Sequence, residues 1–347
     1  MKVCWVAPWF SSLDSVYCQV LADSGYDMLL VASDAHYDQT VKLFEPSIKF
    51  SLRSSKWEKI PLMNSLYRAI RKQAPDVVLF DLPQRIPLLL LAFALRRQSK
   101  FVLVIHDATP HDKSHEFHPI IRYLQNQLAV SSHGLLTFSN NSKNELLARY
   151  PEANVQTAPL LSEVPVAITV SENRVRRNFA MIGRWSDYKG FDIGLECWKA
   201  FQDVSETESQ LEMWCSGLDE IPESESNVIW RSSKSFLWTD LLEALPNYCG
   251  VLMPYRSASQ SGVQVLAWDF GVPVLISALP GLIEFQPDCL PAISLGDQES
   301  WVQAIAGLED SSRAESVGIQ GSRQLKELRS GPNVLRAFAQ CFESLHP

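Results

Sequence analysis

The stretch Val251 to Glu284, VLMPYRSASQSGVQVLAWDFGVPVLISALPGLIE, decides the reading of this chain. An apolar run starting at Val251 ends in a small, polar, glycine-bearing loop that opens a helical pattern, with Ser259, Gln260, Ser261 and Gly262 in the turn. The first turn of a helix presents backbone N–H groups without intrahelical partners and a positive dipole end, and small residues let an anion approach them. A second apolar run, Val274 to Ser277, follows Gly271 and Pro273, and Pro280, Gly281 and Glu284 complete another loop on what should be the same sheet edge. Two loops are therefore expected to converge on one ligand, with phosphate as the group they suit.

The same logic applies upstream, in Asn178 to Gly190, NFAMIGRWSDYKG. Phe179 to Ile182 reads as a strand, Gly183 as its tight exit, and Gly190 as the entry to the helix FDIGLECWKAF. Between them Arg184 and Lys189 place two cations on one short loop, a spacing that suits a diphosphate.

These segments resemble the family-4-like retaining glycosyltransferases of the GT-B fold. The family's G-R-x(n)-K-G pattern is matched by GRWSDYKG, which implies donor-diphosphate contacts for Arg184 and Lys189. The later order of strand, proline, phosphate loop, helix, G-x-P-V and G-x-x-E is matched as well, which implies donor contacts by Gly183, Gln260, Ser261, Gly262, Gly281 and Glu284. One departure stands out: where the family carries two glutamates eight positions apart, Ala258 to Leu266 holds no acid. Gln260 is the nearest polar substitute for the first, and Leu266 lies at or beside the second. That resembles a divergent branch with a Q-S-G-V-type loop and without the paired glutamates.

Composition bounds the class. The 347 residues are enough for two domains, and 46% hydrophobic with 20% charged residues is ordinary for a globular protein. Residues 1–165 carry 17 Lys and Arg against 15 Asp and Glu, net +2; the remainder carries 14 against 24, net −10. With a total of −8, nucleic acid is excluded as an expected partner. Lys42, Lys49, Arg53, Lys56, Lys59, Arg68, Arg71 and Lys72 are interleaved with Phe50, Trp57, Leu62, Met63 and Tyr67. This is either a membrane-surface patch for a lipid-linked acceptor or a solvated helix face with core anchors. The longest apolar run, Ile86 to Leu95, is too short for a span of roughly 20 residues and reads as a buried helix. The amino terminus runs straight into a strand without the pattern of a secretory signal, so a cytoplasmic location is expected, with contact at the inner membrane surface as the peripheral alternative. Seven scattered cysteines without a C-x-x-C pair read as small core residues, and no metal site is expected.

In the first half, apolar runs at Lys2–Ala7, Asp27–Ala32, Asp76–Phe80, Phe101–Ile105 and Gly134–Phe138 alternate with helical patterns at Ser15–Asp23, Met63–Gln73 and Asn140–Tyr150. Continuous apolar strands alternating with helices predict a parallel sheet covered on both faces. The second half repeats the plan, with strands near Phe179, Leu211, Val228, Val251, Val274 and Ala292 and helices at Gln298–Gly307, Arg313–Leu328 and Val334–Leu345. The predicted fold class is α/β with two doubly wound, Rossmann-like domains facing a central cleft: 1–165 for the acceptor, 166–330 for the nucleotide sugar, and 331–347 as a terminal helix packing back on the first, joined through Pro159–Arg177.

Strand ends nominate further residues. FVLVIHD ends at His106 and Asp107; the resemblance implies that His106 contacts a donor-sugar hydroxyl and supports the transition state, while Asp107 either orients His106, binds acceptor or caps the loop. Trp9 and Phe10 form either an aromatic wall for the acceptor or a packing contact, and Asp81 and Arg85 are acceptor-side candidates. Phe236 is placed beside the base by the order of the family's loops. The sequence shows no Ser-His-Asp order, dinucleotide G-x-G-x-x-G or Walker loop, which sets hydrolase and NTPase readings aside. The resemblance implies transfer of a sugar from a UDP or GDP sugar to a glycan or lipid-linked acceptor with retention of configuration, with no cofactor and no required metal. The alternatives are a non-catalytic GT-B subunit and a nucleotide-sugar 2-epimerase.

Overall fold

The computed structural model describes residues 1–34, 43–52, 59–109, 118–163, 176–206, 208–221, 227–232 and 235–345. It divides into two compact units, Met1–Pro165 with Arg329–Pro347, and Val166–Leu328. Each is a parallel sheet wrapped by helices.

In the first unit the chain runs β1 (Lys2–Ala7), α1 (Ser11–Asp23), β2 (Asp27–Ser33), β3 (Ser47–Phe50), α2 (Lys59–Gln73), β4 (Val77–Asp81), α3 (Ile86–Arg96), β5 (Lys100–Val104), α4 (Pro119–Ser131), β6 (Gly134–Thr137), α5 (Asn140–Arg149) and β7 (Val155–Thr157). The strand order is β3-β2-β1-β4-β5-β6-β7, so the connection direction reverses between β1 and β4. β1 is buried from Val3 to Ala7 and β4 throughout, which is why both read as unbroken apolar runs instead of in-out alternation. The strands β3 (SIKF) and β7 (VQT) were not legible as apolar runs, because each lies at a sheet edge and is only partly buried.

The run Ile86–Leu95 forms α3, with Leu88, Leu89, Leu91, Ala92 and Leu95 turned into the core. No described helix is long and apolar enough to cross a membrane. In α2, Met63, Leu66 and Ile70 enter the core at helical spacing while Arg68, Arg71 and Lys72 stay exposed. Lys42, Arg53, Lys56 and Trp57 lie outside the described residues.

The carboxyl-terminal helix, labelled last in chain order as α12 (Gly331–Glu343), packs on α1 and β7 within this unit. Its Phe338 ring lies 5.8 Å from Trp5 and 5.7 Å from Tyr17, and Asn154 Nδ2 donates to Ser344 Oγ at 2.8 Å.

The second unit comprises β8 (Phe179–Arg184), α6 (Phe191–Val204), β9 (Leu211–Ser216), β10 (Val228–Ser232), α7 (Trp238–Ala244), β11 (Gly250–Met253), α8 (Gly262–Asp269), β12 (Val274–Ile276), α9 (Pro280–Ile283), α10 (Gln298–Glu309) and α11 (Ser311–Leu328). Its order, β10-β9-β8-β11-β12, reverses between β8 and β11. The strand predicted near Ala292 is instead a single bridge between Ser277 and Ile293. Pro291 has no N–H to extend a ladder there. Buried Arg176 opens the unit: its guanidinium donates to the carbonyls of Tyr248 (3.1 Å) and Gly271 (2.8 Å). All seven cysteines are free thiols, six of them buried.

Candidate functional site

In the second unit the predicted anion-binding residues gather where β8 and β11 end, at the reversal of strand order where open α/β sheets place their ligands. Gly183 has φ +135°, and a Cβ there would stand 2.9 Å from Lys189 Cε. The lysine stem therefore crosses the glycine's bare backbone. Lys189 is buried, its Nζ donates to Tyr255 Oη at 2.6 Å, and it lies 4.4 Å from the Tyr255 ring centroid. Burial lowers the ammonium's pKa, and the neighbouring Arg184 charge lowers it further, while Tyr188 and Cys215 oppose the shift.

Tyr255 also shares a side-chain hydrogen bond with Ser261, and burial raises its own pKa. Lys189, Tyr255 and Ser261 thus form a continuous polar link from the cationic loop to the start of α8. Ser261 is extended and makes no side-chain cap hydrogen bond, so the first turn of α8 has no side-chain partner from its own N-cap. Gly262 faces open space. Gly281, by contrast, is tightly enclosed: a Cβ there would meet the backbone carbonyls of Ala258 and Ser259, so this glycine is what lets the α9 turn lie against the phosphate-type loop. Arg256 holds the loops from outside, with its backbone N–H on the Tyr188 carbonyl (2.7 Å) and its guanidinium on Asp192 (2.5 Å).

Gln260 is half-buried beside Ser261, and its Oε1 lacks a hydrogen-bond partner. Glu284 is half-buried at the end of α9. Leu266 is a core residue of α8, 3% exposed. Phe236 packs edge-on against Trp214 (5.9 Å) and near Trp238 (6.1 Å). Trp185 stacks on Phe191 at 5.0 Å and lies 5.9 Å from Trp230. Tyr255 and the Trp185 ring were the residues that sequence reading passed over. The signal for Tyr255 was present in the M-P-Y-R turn directly after β11.

In the first unit β1, β4 and β5 are adjacent, and their exits carry the second set. His106 is 8% exposed, its ring tilted 4.0 Å from that of Phe10 and 4.9 Å from that of Phe138, and burial pushes its imidazole down to about 4, so it is neutral near pH 7. Asp107 is exposed, and its charge only partly offsets that burial. Trp9 is half-buried against the core, with the Arg85 guanidinium 5.5 Å from its ring; Arg85 also donates to the Leu52 carbonyl at 3.0 Å. Asp81 is 1% exposed and accepts from Trp5 Nε1 at 3.1 Å. Asp81, the last residue of β4, is thus a buried acid. The structure adds Asp14, fully buried in the first turn of α1: among the described residues, Asp14, Asp81 and His106 bring acid and imidazole atoms within 4.8 Å of one another.

Residues 17–160 match the sequence profile of glycosyltransferase family 4. No curated protein matches the chain in sequence. Among solved structures, the chain is similar to TarM of S. aureus in complex with UDP and alpha-GlcNAc-glycerol, at 10% identity, 100% coverage of both chains and a TM-score of 0.73. It is also similar to sucrose-phosphate synthase of Thermosynechococcus elongatus, at 13% identity, 99% of both chains and a TM-score of 0.69. A putative UDP-N-acetylglucosamine 2-epimerase of Listeria monocytogenes shares the fold at 15% identity over 99% of this chain and 96% of that one, with a TM-score of 0.65. The chain is a GT-B-fold protein, two Rossmann-like units with the glycosyltransferase family 4 sequence pattern in the first.

Proposed function

We propose that the protein is a glycosyltransferase that moves a sugar from a nucleotide diphosphate sugar to a glycan or lipid-linked acceptor, with retention of configuration. The observation that carries this reading is the Lys189–Tyr255–Ser261 link, which joins a buried cation to a helix start through Tyr255, 66 positions along the chain from the lysine. Support also comes from the family match and from the UDP in the TarM structure.

The chemistry asked of the protein is largely electrostatic. As the bond from the anomeric carbon to the diphosphate breaks, negative charge accumulates on the leaving oxygens. Arg184, Lys189 and the first-turn N–H groups of α8 stabilise that charge. Each such contact contributes about 2–4 kcal/mol to the barrier when the surroundings exclude water. Neutral His106 donates or accepts a hydrogen bond at a sugar hydroxyl and places no full positive charge beside the developing oxocarbenium ion. Retention follows a front-face path in which the acceptor hydroxyl attacks from the side the diphosphate leaves, its proton passing to a diphosphate oxygen. No metal is assigned a step, because the two cations and the helix start supply the positive potential.

The test is a thermal-shift screen of UDP, GDP, ADP, CMP and dTDP on the purified protein and on Lys189→Ala. Saturable stabilisation by one nucleotide, lost in the variant, supports the donor site. With the matching nucleotide sugar, NMR of the product's anomeric proton then reads retention or inversion. Failure of every nucleotide would favour a non-catalytic subunit, and release of a 2-epimeric sugar would favour the epimerase reading.

A further inference from the structure

Asp14 and Asp81 meet in the interior of the first unit with fewer partners than two carboxylates need. Asp14 is 0% exposed, and neither of its carboxyl oxygens accepts an N–H or O–H donor; Asp81 Oδ2 has none either, nor has Nε2 of the adjacent His106. Two buried carboxylates in contact cannot both hold a charge, since desolvation and mutual repulsion both favour the neutral acid. A single proton between them satisfies the facing oxygens.

The surroundings decide which oxygen keeps the charge. Burial raises Asp81 to about 7, while the hydrogen bonds it receives from the Asp14 side chain, from Trp5 Nε1 at 3.1 Å and from the backbone N–H of Phe10 favour its anion. Asp14 lacks comparable donors and feels the charges of Asp81 and Glu163, which with burial raise its pKa well above that of an ordinary carboxyl. Asp14 is therefore the acid and Asp81 the carboxylate.

The pair reaches the start of α1 through Asp81, which the Phe10 N–H faces, while the Phe10 carbonyl accepts the backbone N–H of Asp14 at 2.9 Å in the first helical turn. Phe10 precedes α1 and puts its ring 4.0 Å from that of His106. We propose that Asp14 and Asp81 are a one-proton carboxyl pair that positions the loop between β1 and α1 and seats Phe10 against His106. They are positioning residues, and the proposal holds whatever ligand the protein takes.

Other titratable groups surround the pair. Cys4 of β1 is pushed up to about 12 by burial, and Cys18 and Tyr17 of α1 are raised as well. His106, at the β5 exit beside Asp107, is lowered to about 4. Arg329 acts on Tyr17, and Glu163 is itself raised by burial.

The sign of the pH dependence follows. A carboxyl raised in the folded state contributes stability at low pH that is lost as pH rises through its folded value, because the folded state then holds a proton the unfolded state does not. Wherever the folded pair holds one proton that the unfolded chain has released, the folding constant falls about tenfold per pH unit.

The experiment uses the full chain with histidine side chains labelled for NMR. The His106 ring signal is assigned with His106→Gln, and Phe10→Leu marks its position without the Phe10 ring current. Asp14→Asn keeps a neutral donor of the same shape. It is expected to keep the ring-shifted His106 signal while the pH dependence of urea unfolding, followed on that same signal, flattens relative to wild type between pH 6.5 and 8. A signal that moves to the Phe10→Leu position in Asp14→Asn, or a pH dependence that survives in it, would overturn the proposal. So would one equivalent of a divalent metal in the purified protein with loss of stability in EDTA, since the same oxygens would then be holding an ion.

Discussion

At the exit of the second sheet, a buried lysine, an arginine and a helix start gather around small residues, whereas the same edge of the first sheet gathers two buried acids, a neutral imidazole and aromatic rings. The topology is alike in the two units, with strand order reversing beside the first strand of each. The difference shows that a doubly wound sheet supplies a place and not a chemistry. In the second unit, glycines bring backbones close, with Lys189 crossing the bare backbone of Gly183 and Gly281 lying against the carbonyls of Ala258 and Ser259. In the first, apolar packing closes over the polar groups, so their charge states are set by the protein itself.

The comparison can be broken most strongly through the packing of the first unit. Phe338→Ala removes a fully buried ring that α12 places against Trp5 and Tyr17, and should destabilise the first unit by about 3–5 kcal/mol. Urea unfolding measures this. If the sites are independent in make-up, nucleotide-induced stabilisation of the second unit survives.

Lys189→Ala strikes the opposite side of the contrast. Transfer from the nucleotide sugar should fall about 10²–10³-fold, a barrier change of about 2–4 kcal/mol, while the first unit keeps its unfolding midpoint. Steady-state rates at saturating donor give the value. Gly183→Ala should act through the same lysine. The new Cβ meets the Lys189 stem at a backbone φ of +135°, and the strain of about 1–3 kcal/mol should appear as lower stability together with weaker nucleotide binding.

Tyr255→Phe sharpens the comparison at finer scale by deleting the hydroxyl between Lys189 and Ser261. A loss of about 1 kcal/mol, or roughly fivefold in nucleotide affinity by calorimetry, is expected for one such hydrogen bond. The smallest effect is in pH. Burial depresses Lys189, so the ammonium is lost at lower pH than an exposed lysine's, and a bound diphosphate favours its charged form. Nucleotide binding should therefore take up protons and weaken on the alkaline side. His106, neutral near pH 7, contributes no such slope there.

Much of this was legible as local pattern. The strand starting at Lys2 and the helix starting at Asn140 begin where apolar periodicity starts, and α8 begins at Gly262, after the small-residue turn. Arg184 and Lys189 were visible as two cations flanked by glycines. Asp14 was not, because an acid in the first turn of a helix reads as an ordinary dipole partner until its burial is known. Tyr255 was not singled out, because its partner Lys189 lies 66 positions away, and the burial of Asp81 shows only in the folded structure. The edge strands β3 and β7 escaped because a half-covered strand has no continuous apolar run.

By itself the sequence determined two doubly wound parallel sheets and a small-residue loop opening a helix in the second, since apolar period, glycine exits and helix starts are each written within a few consecutive residues. Only the tertiary structure decided which polar groups face one another. Lys189 reaches Tyr255 across 66 positions and Trp5 reaches Asp81 across 76, distances over which no local propensity carries information. Burial at those meeting points, not residue type, sets which groups are charged: it lowers Lys189, keeps His106 neutral and leaves Asp14 and Asp81 one proton to share.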